Sequence, residues 1–239
     1  MNTHAASQDS RPLSLFCAFA LKRAVEQTVL PAYIEAGHPR VEAVFEPTFR
    51  LLTRIESGSR PDVMVGITGT LADLATEGTV MNTRPLARTG VGVAVAPDAP
   101  TPDISTVDAF ISAVTNARSV AYSRSGPSGI YFAGLLERLG IAGQVTARAT
   151  VVDSGPTAAA LLDGRADLAI HQLSELILIP EATIVGPLPE AIQEYTDFSS
   201  ALGTASRSAG AAELRDFLHG PEARAAYAAN GLEVSQEKA

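Results

Sequence analysis

The residues with most chemistry to offer sit in short loops between apolar segments. Ser125-Gly126-Pro127-Ser128-Gly129 joins a strand-like segment to a helical one. At such a junction the first helical N–H groups lack intrahelical acceptors and the helix turns its positive end outward, so a carboxylate or oxyanion can be held there. The same five residues also suit an ordinary tight turn with a serine cap. Arg124, just ahead, carries a planar fork that grips a carboxylate through two bonds, or is a solvated surface arginine. Glu46 and Thr48 flank Pro47 behind a second apolar segment. A carboxyl closed away from water rises in pKa and can act as a general base, whereas an exposed one pairs with Arg50 or Arg54. His171 and Gln172 end a third segment. A neutral imidazole there can donate to a ligand or shuttle a proton near pH 7; a packed, hydrogen-bonded histidine is the alternative. Thr68, in Thr68-Gly69-Thr70, offers a hydroxyl to the same rim or caps a helix.

The bulk composition narrows the partners. The chain has 239 residues and a formal charge of −8. An acidic surface disfavours a nucleic-acid groove and an anionic membrane, so any anion site must be local. Cys17 is the single cysteine and lies in an apolar run, which excludes an internal disulfide and a multi-cysteine metal site. His4, His38, His171 and His219 are scattered without ligand spacing, so no metal is expected. Walker, GxGxxG, GxSxG and HExxH motifs are missing, and no cofactor is expected. No apolar stretch reaches the ~18 residues of a membrane span. Residues 1–12 are polar and do not read as a secretory leader, which implies a cytoplasmic chain, or a periplasmic one whose leader has been removed.

The elements that must position these loops alternate. Leu13–Phe19, Val41–Glu46 and Asp62–Ile67 read as strands, each followed by a helical segment: Leu21–Gly37 with a possible kink at Pro31, Thr48–Gly58, and Leu71–Glu77. Arg84–Pro97 has period-two apolar residues and suits a long strand passing between lobes. A second series follows: helix Val107–Ala117, strand Ser119–Ser123, helix Gly129–Leu139, strand Gln144–Thr150, helix Pro156–Leu162 and strand Asp167–Gln172. Phe198–Ala205 reads as a return crossing, and Ala211–Ala229 as a helix pair interrupted near Gly220. Such order predicts parallel sheets with helices on both faces and ligand loops at the strands' carboxyl ends.

FCAFALKRAV, LLTRIESGSRPDVMV, RPLARTGVGVAVAP, SGPSGIYFAGLLERLGI and FLHGPEARAAYAANGL, in that order, resemble the molybdate-binding branch of the type II periplasmic solute-binding proteins. The resemblance covers about residues 13–232 and implies an α/β fold of two lobes, each a mostly parallel sheet flanked by helices, joined by two crossing strands. Lobe 1 is expected at 13–90 plus 197–239 and lobe 2 at 91–196, with 1–12 a polar tail. Ligand would be held in an interlobe cleft by strand ends and helix N-termini, with Ala20, Thr48, Thr68, Arg124, Ser125, Ser128, Gly129, His171 and Gln172 as contacts and Phe198 on the hinge side or in the core. In molybdate binders, hydroxyls after strands one and two help hold the oxyanion. Here the first of those positions is Ala20 and the second falls in Glu46-Pro47-Thr48, where a carboxylate would face the dianion and proline removes a donor.

Two functions follow from the resemblance. One is capture of a small anionic organic ligand, a carboxylate, with an ABC permease as partner if the chain is exported. The other is a cofactor-free isomerase similar to aconitate isomerase, with Glu46 or His171 removing a proton next to a carboxylate.

Overall fold

The computed structural model describes residues 11–235 apart from 154, 207 and 209. The chain forms two compact units: residues up to Leu86 with Phe198–Ala226, and Ala87–Asp197 with the segment from Tyr227.

The first unit opens with β1 (Leu13–Ala18), a run that is apolar but for Ser14 because parallel neighbours flank it on both sides. A short 3-10 turn, Phe19–Leu21, leads into α1 (Lys22–Ala24), a π-helical turn Val25–Val29, and α2 (Leu30–Glu35). The wide turn comes just before Pro31, which has no N–H to return to Gln27 and whose ring would crowd that carbonyl. The kink expected at Pro31 thus takes the form of a π turn. β2 (Val41–Glu46), α3 (Thr48–Glu56), β3 (Val63–Ile67) and α4 (Thr68–Thr76) complete the alternation. β2 and β3 lie parallel on either side of β1, with Ala18 opposite Glu46 and Cys17 opposite Val65. Phe16, Leu51, Ile55, Met64, Leu71 and Leu74 share one core.

β4 (Val80–Val95) carries the chain into the second unit. There follow α5 (Val107–Asn116), β5 (Val120–Ser123), α6 (Pro127–Arg138), α7 (Ala142–Thr146), β6 (Thr150–Val152), α8 (Ala159–Leu162), β7 (Leu168–Gln172), α9 (Leu173–Leu176) and β8 (Thr183–Pro187). β7 is central, antiparallel to β4 and parallel to β5, which in turn carries β6; β8 lies antiparallel on β4. Phe110, Phe132, Leu135, Leu136 and Ile170 fill one face of this sheet. Ala121, Ala158, Ala160, Leu161, Ala169 and Leu176 fill the other. Alternation along β7 therefore turns Ile170 toward α6 and its neighbours Ala169 and His171 toward α8 and α9.

β9 (Tyr195–Gly203) returns the chain and pairs antiparallel with β3, followed by α10 (Gly210–Phe217), α11 (Pro221–Ala229) and β10 (Glu233–Val234).

Two expectations need correction. Gln144–Thr150 is not a strand: it holds the end of α7, a turn and the first residue of β6. Gly140, at φ +70°, ends α6, and Val145 is then buried in the core with Leu136 and Ile141, so packing overrides the alternating pattern. Residues 227–235 belong with the second unit, not the first. β10 pairs with β4 through Glu233 opposite Arg88, those two side chains form an ion pair at 2.7 Å, and Thr89 Oγ1 donates to Gly231 O at 2.8 Å.

Candidate anion site

In the second unit the carboxyl ends of β5, β6 and β7 lie side by side. Val120 faces Leu168 and Ala121 faces Ala169; the same register, continued, sets Ser123 beside His171. After Ser123 the chain makes a tight turn into α6. Ser123 Oγ accepts the Gly126 N–H at 3.0 Å, and the Gly129 and Ile130 N–H groups both donate to Gly126 O at 3.0 Å. Pro127 has no N–H, so Ser128 supplies the one first-turn amide left without an intrahelical acceptor. Ser128 is only 2% exposed, and its Oγ is buried without a hydrogen-bond partner.

Gly129 has a different part from the one expected. Its N–H is spent on Gly126, and a Cβ there would stand 1.7 Å from Ser123 O, so the residue lets α6 lie against the end of β5. Ser125 is exposed at the turn. Arg124 is exposed as well and already bound: Nε meets Asp153 Oδ1 at 2.5 Å, and that carboxylate raises the guanidinium pKa further.

His171 is buried, 5% exposed, and turns Nδ1 toward Glu175 Oε2 at 3.5 Å, beyond hydrogen-bonding geometry. Glu175 sits in the first turn of α9, four residues on. Burial pushes its carboxyl pKa up, and the neighbouring His171 pulls against that rise. Gln172, also buried, donates from Nε2 to Thr196 Oγ1 at 2.8 Å.

In the first unit, Ala20 is buried in the turn after β1 and offers no side-chain donor. Thr48, buried at the start of α3, accepts weakly from the Ile67 N–H at 3.4 Å. Thr68 Oγ1 and Ser199 Oγ lie 2.9 Å apart. Phe198, opposite Ile67 in the sheet, is a buried core residue. For Glu46 the structure selects the ion-pair alternative over the general base: Arg54 holds it with two bonds, 2.8 and 2.6 Å. The hydrogen bond from Arg54 lowers the Glu46 pKa more than burial raises it, so the carboxyl is a poor general base.

Sequence reading missed three partners. Glu175 stands four residues from His171, a spacing visible in HQLSE but diagnostic only within a helix, and here it spans a strand end and a helix start. Ser123 closes its own turn through a bond three residues on, a local pattern open to sequence, whereas Thr196 meets Gln172 from 24 residues away, for which no local signal exists. Among the described residues no group of three or more His, Cys, Asp or Glu side chains could hold a metal, and no helix is long and apolar enough to cross a membrane.

These helix-flanked, mostly parallel sheets have the fold of the type II periplasmic-binding-protein class. Within it, residues 13–233 match the bacterial extracellular solute-binding protein family, to which the chain belongs. An aconitate isomerase from Pseudomonas sp is 32% identical over 213 residues, spanning 85% of this chain and 81% of that one. The periplasmic molybdate-binding protein of Azotobacter vinelandii superposes with a TM-score of 0.75 at 20% identity, covering 94% of this chain and 100% of that one. PEB3 of Campylobacter jejuni with L-phospholactate bound superposes with a TM-score of 0.66 at 14% identity, over 92% and 99%.

Proposed function

We propose that the chain binds a small organic anion, a carboxylate, at the carboxyl-end loops of its sheets. The observation that carries this reading is Ser128, whose Oγ is buried without a partner at the start of a 12-residue helix, where the N–H of the same residue has no intrahelical acceptor. Orphaned buried donors cost about 1–3 kcal/mol each, and an anion at the positive end of α6 satisfies them. Molybdate fits less well. Ala20 stands at the first position where that branch places a hydroxyl, and the second falls in Glu46-Pro47-Thr48, where Pro47 has no N–H. The relevant test is thermal unfolding of the protein with di- and tricarboxylates, sulfate and molybdate. Stabilisation by the organic acids is expected, with Ser128→Ala weakening it about tenfold, one bond to a charged group. Stabilisation by molybdate alone would overturn the reading.

A second reading, isomerisation of an unsaturated tricarboxylate, is favoured by the aconitate isomerase relative together with the buried His171 imidazole. In it, His171 Nε2 takes a proton from the methylene carbon beside a carboxylate. The freed electron pair forms a new C=C bond, the old π pair shifts to the distal carbon, and that carbon takes a proton back. NMR of cis-aconitate with the protein in D₂O checks it: deuterium entry or trans product supports the reading, and an unchanged spectrum rejects it.

A further inference from the structure

His171 and Glu175 lie where β7 ends and α9 begins, and the continued register sets His171 beside Ser123, the first residue of the turn into α6, yet neither anion capture nor the Ser128 contact requires Glu175. The Glu175 side chain is 15% exposed, and its Oε2 lies 3.5 Å from Nδ1 of the His171 ring, whose side chain is 6% exposed. Among the described residues, the groups set against this strand end and helix are uncharged, including Gly231, which lies against Leu173 and Ser174. β4 presents Gly92 opposite His171 and β8 presents Pro187 opposite Gly92, while α8 is AALL. The hydroxyl of Thr157 is bonded to Ile170 O. On β5, Tyr122 faces the opposite core with Phe132. An arriving carboxylate adds negative charge on the side of the sheet ends where this carboxyl lies, which disfavours its ionised form.

We propose that Glu175 is a specificity-determining residue that takes up a proton when the organic anion binds, so that the site accepts its ligand together with H⁺. This rests on the anion-binding reading above. Burial, which already favours the neutral acid, makes the uptake easier. The sign follows from linkage: binding that takes up a proton strengthens as pH falls and weakens by up to about tenfold per pH unit once Glu175 is ionised in the free protein.

Isothermal titration with tricarballylate tests this. It carries three carboxylates on a saturated chain and cannot isomerise, so its heat reports binding alone. Titrations at pH 7.5 in buffers of different ionisation enthalpy give the protons taken up per ligand; the expected value is between ~0.3 and ~1. Glu175→Gln, close in shape and unable to ionise, is expected to bind like wild type at pH 5.5 and about tenfold more tightly than wild type at pH 8.5. A structural role would instead weaken binding at every pH. Binding without proton uptake, or Glu175→Gln weaker than wild type throughout, overturns the inference and leaves anion binding standing. Failure of tricarballylate and every other organic acid to bind overturns both.

Discussion

The turn into α6 can be tested by a single methyl group. At Gly129 a Cβ would lie 1.7 Å from Ser123 O, 2.6 Å from Ser123 C and 3.0 Å from its Cα. Carbon and oxygen rest at about 3.3 Å or more, so Gly129→Ala must drive the start of α6 roughly 1.6 Å from the end of β5. The obstacle is backbone, which no rotamer change relieves. That displacement unseats Ser128 and loosens Phe132 in the core, an overpacking penalty at or above the usual 1–3 kcal/mol. For a chain of this length about 3 kcal/mol lowers the unfolding midpoint by roughly 6–12 °C. Gly134, in the same helix, is the control. There the nearest atom to a Cβ is Arg138 Nη1 at 3.6 Å, so Gly134→Ala keeps the packing and gains about 0.5–1 kcal/mol of helix propensity. Thermal unfolding followed by circular dichroism, with binding of an organic acid measured in parallel, reads both. A Gly129→Ala protein melting within 2 °C of wild type, or a Gly134→Ala protein losing as much, would show that the close approach does not govern this turn.

Two further outcomes concern the first unit. Asp62 is 1% exposed and accepts from both Arg11 nitrogens, Ser206 Oγ and the Ser14 N–H. Burial resists its ionisation, but those bonds win and lower its pKa. A depressed carboxyl stabilises the fold above its unfolded pKa and loses that contribution as pH falls through the folded value. Asp62→Asn should therefore cost about 2 kcal/mol in urea unfolding at pH 7 and much less near pH 3; a pH-independent difference would contradict the assignment. Tyr33 is fully buried, stacked on His38 at 4.3 Å, with its hydroxyl lacking a partner. Tyr33→Phe removes an unsatisfied group and should leave stability unchanged or raise it by up to ~1 kcal/mol; a loss above that in the same assay would point to a hidden bond.

How much of this was legible in the sequence depends on the distance over which each feature is decided. β1, β3 and β7 read as strands because burial on both faces writes a continuous apolar run. The SGPSG stretch read as a strand-to-helix junction because glycine, proline and serine each favour a tight turn there. α7 did not read, since Gln144 to Thr150 alternates like a strand and only the core around Val145 makes it helical. The ambivalence of Glu46 was visible, but only the structure resolves it, by bringing Arg54 round on the next helix. Glu175 went unseen because its importance comes from the direction of His171, which is set by β7's neighbours and not by its own residues.

The last strand, small as it is, decides what can be excised. Glu233 and Val234 cover the Ala87–Arg88 stretch of β4, and Gly231 fits where a side chain would press on Ile177 and Ser174. A fragment cut at Asp197 would present bare N–H and C=O groups along that stretch, an invitation to intermolecular pairing. A viable fragment has to be stitched from two stretches of chain, with 227–235 carried along as its seal.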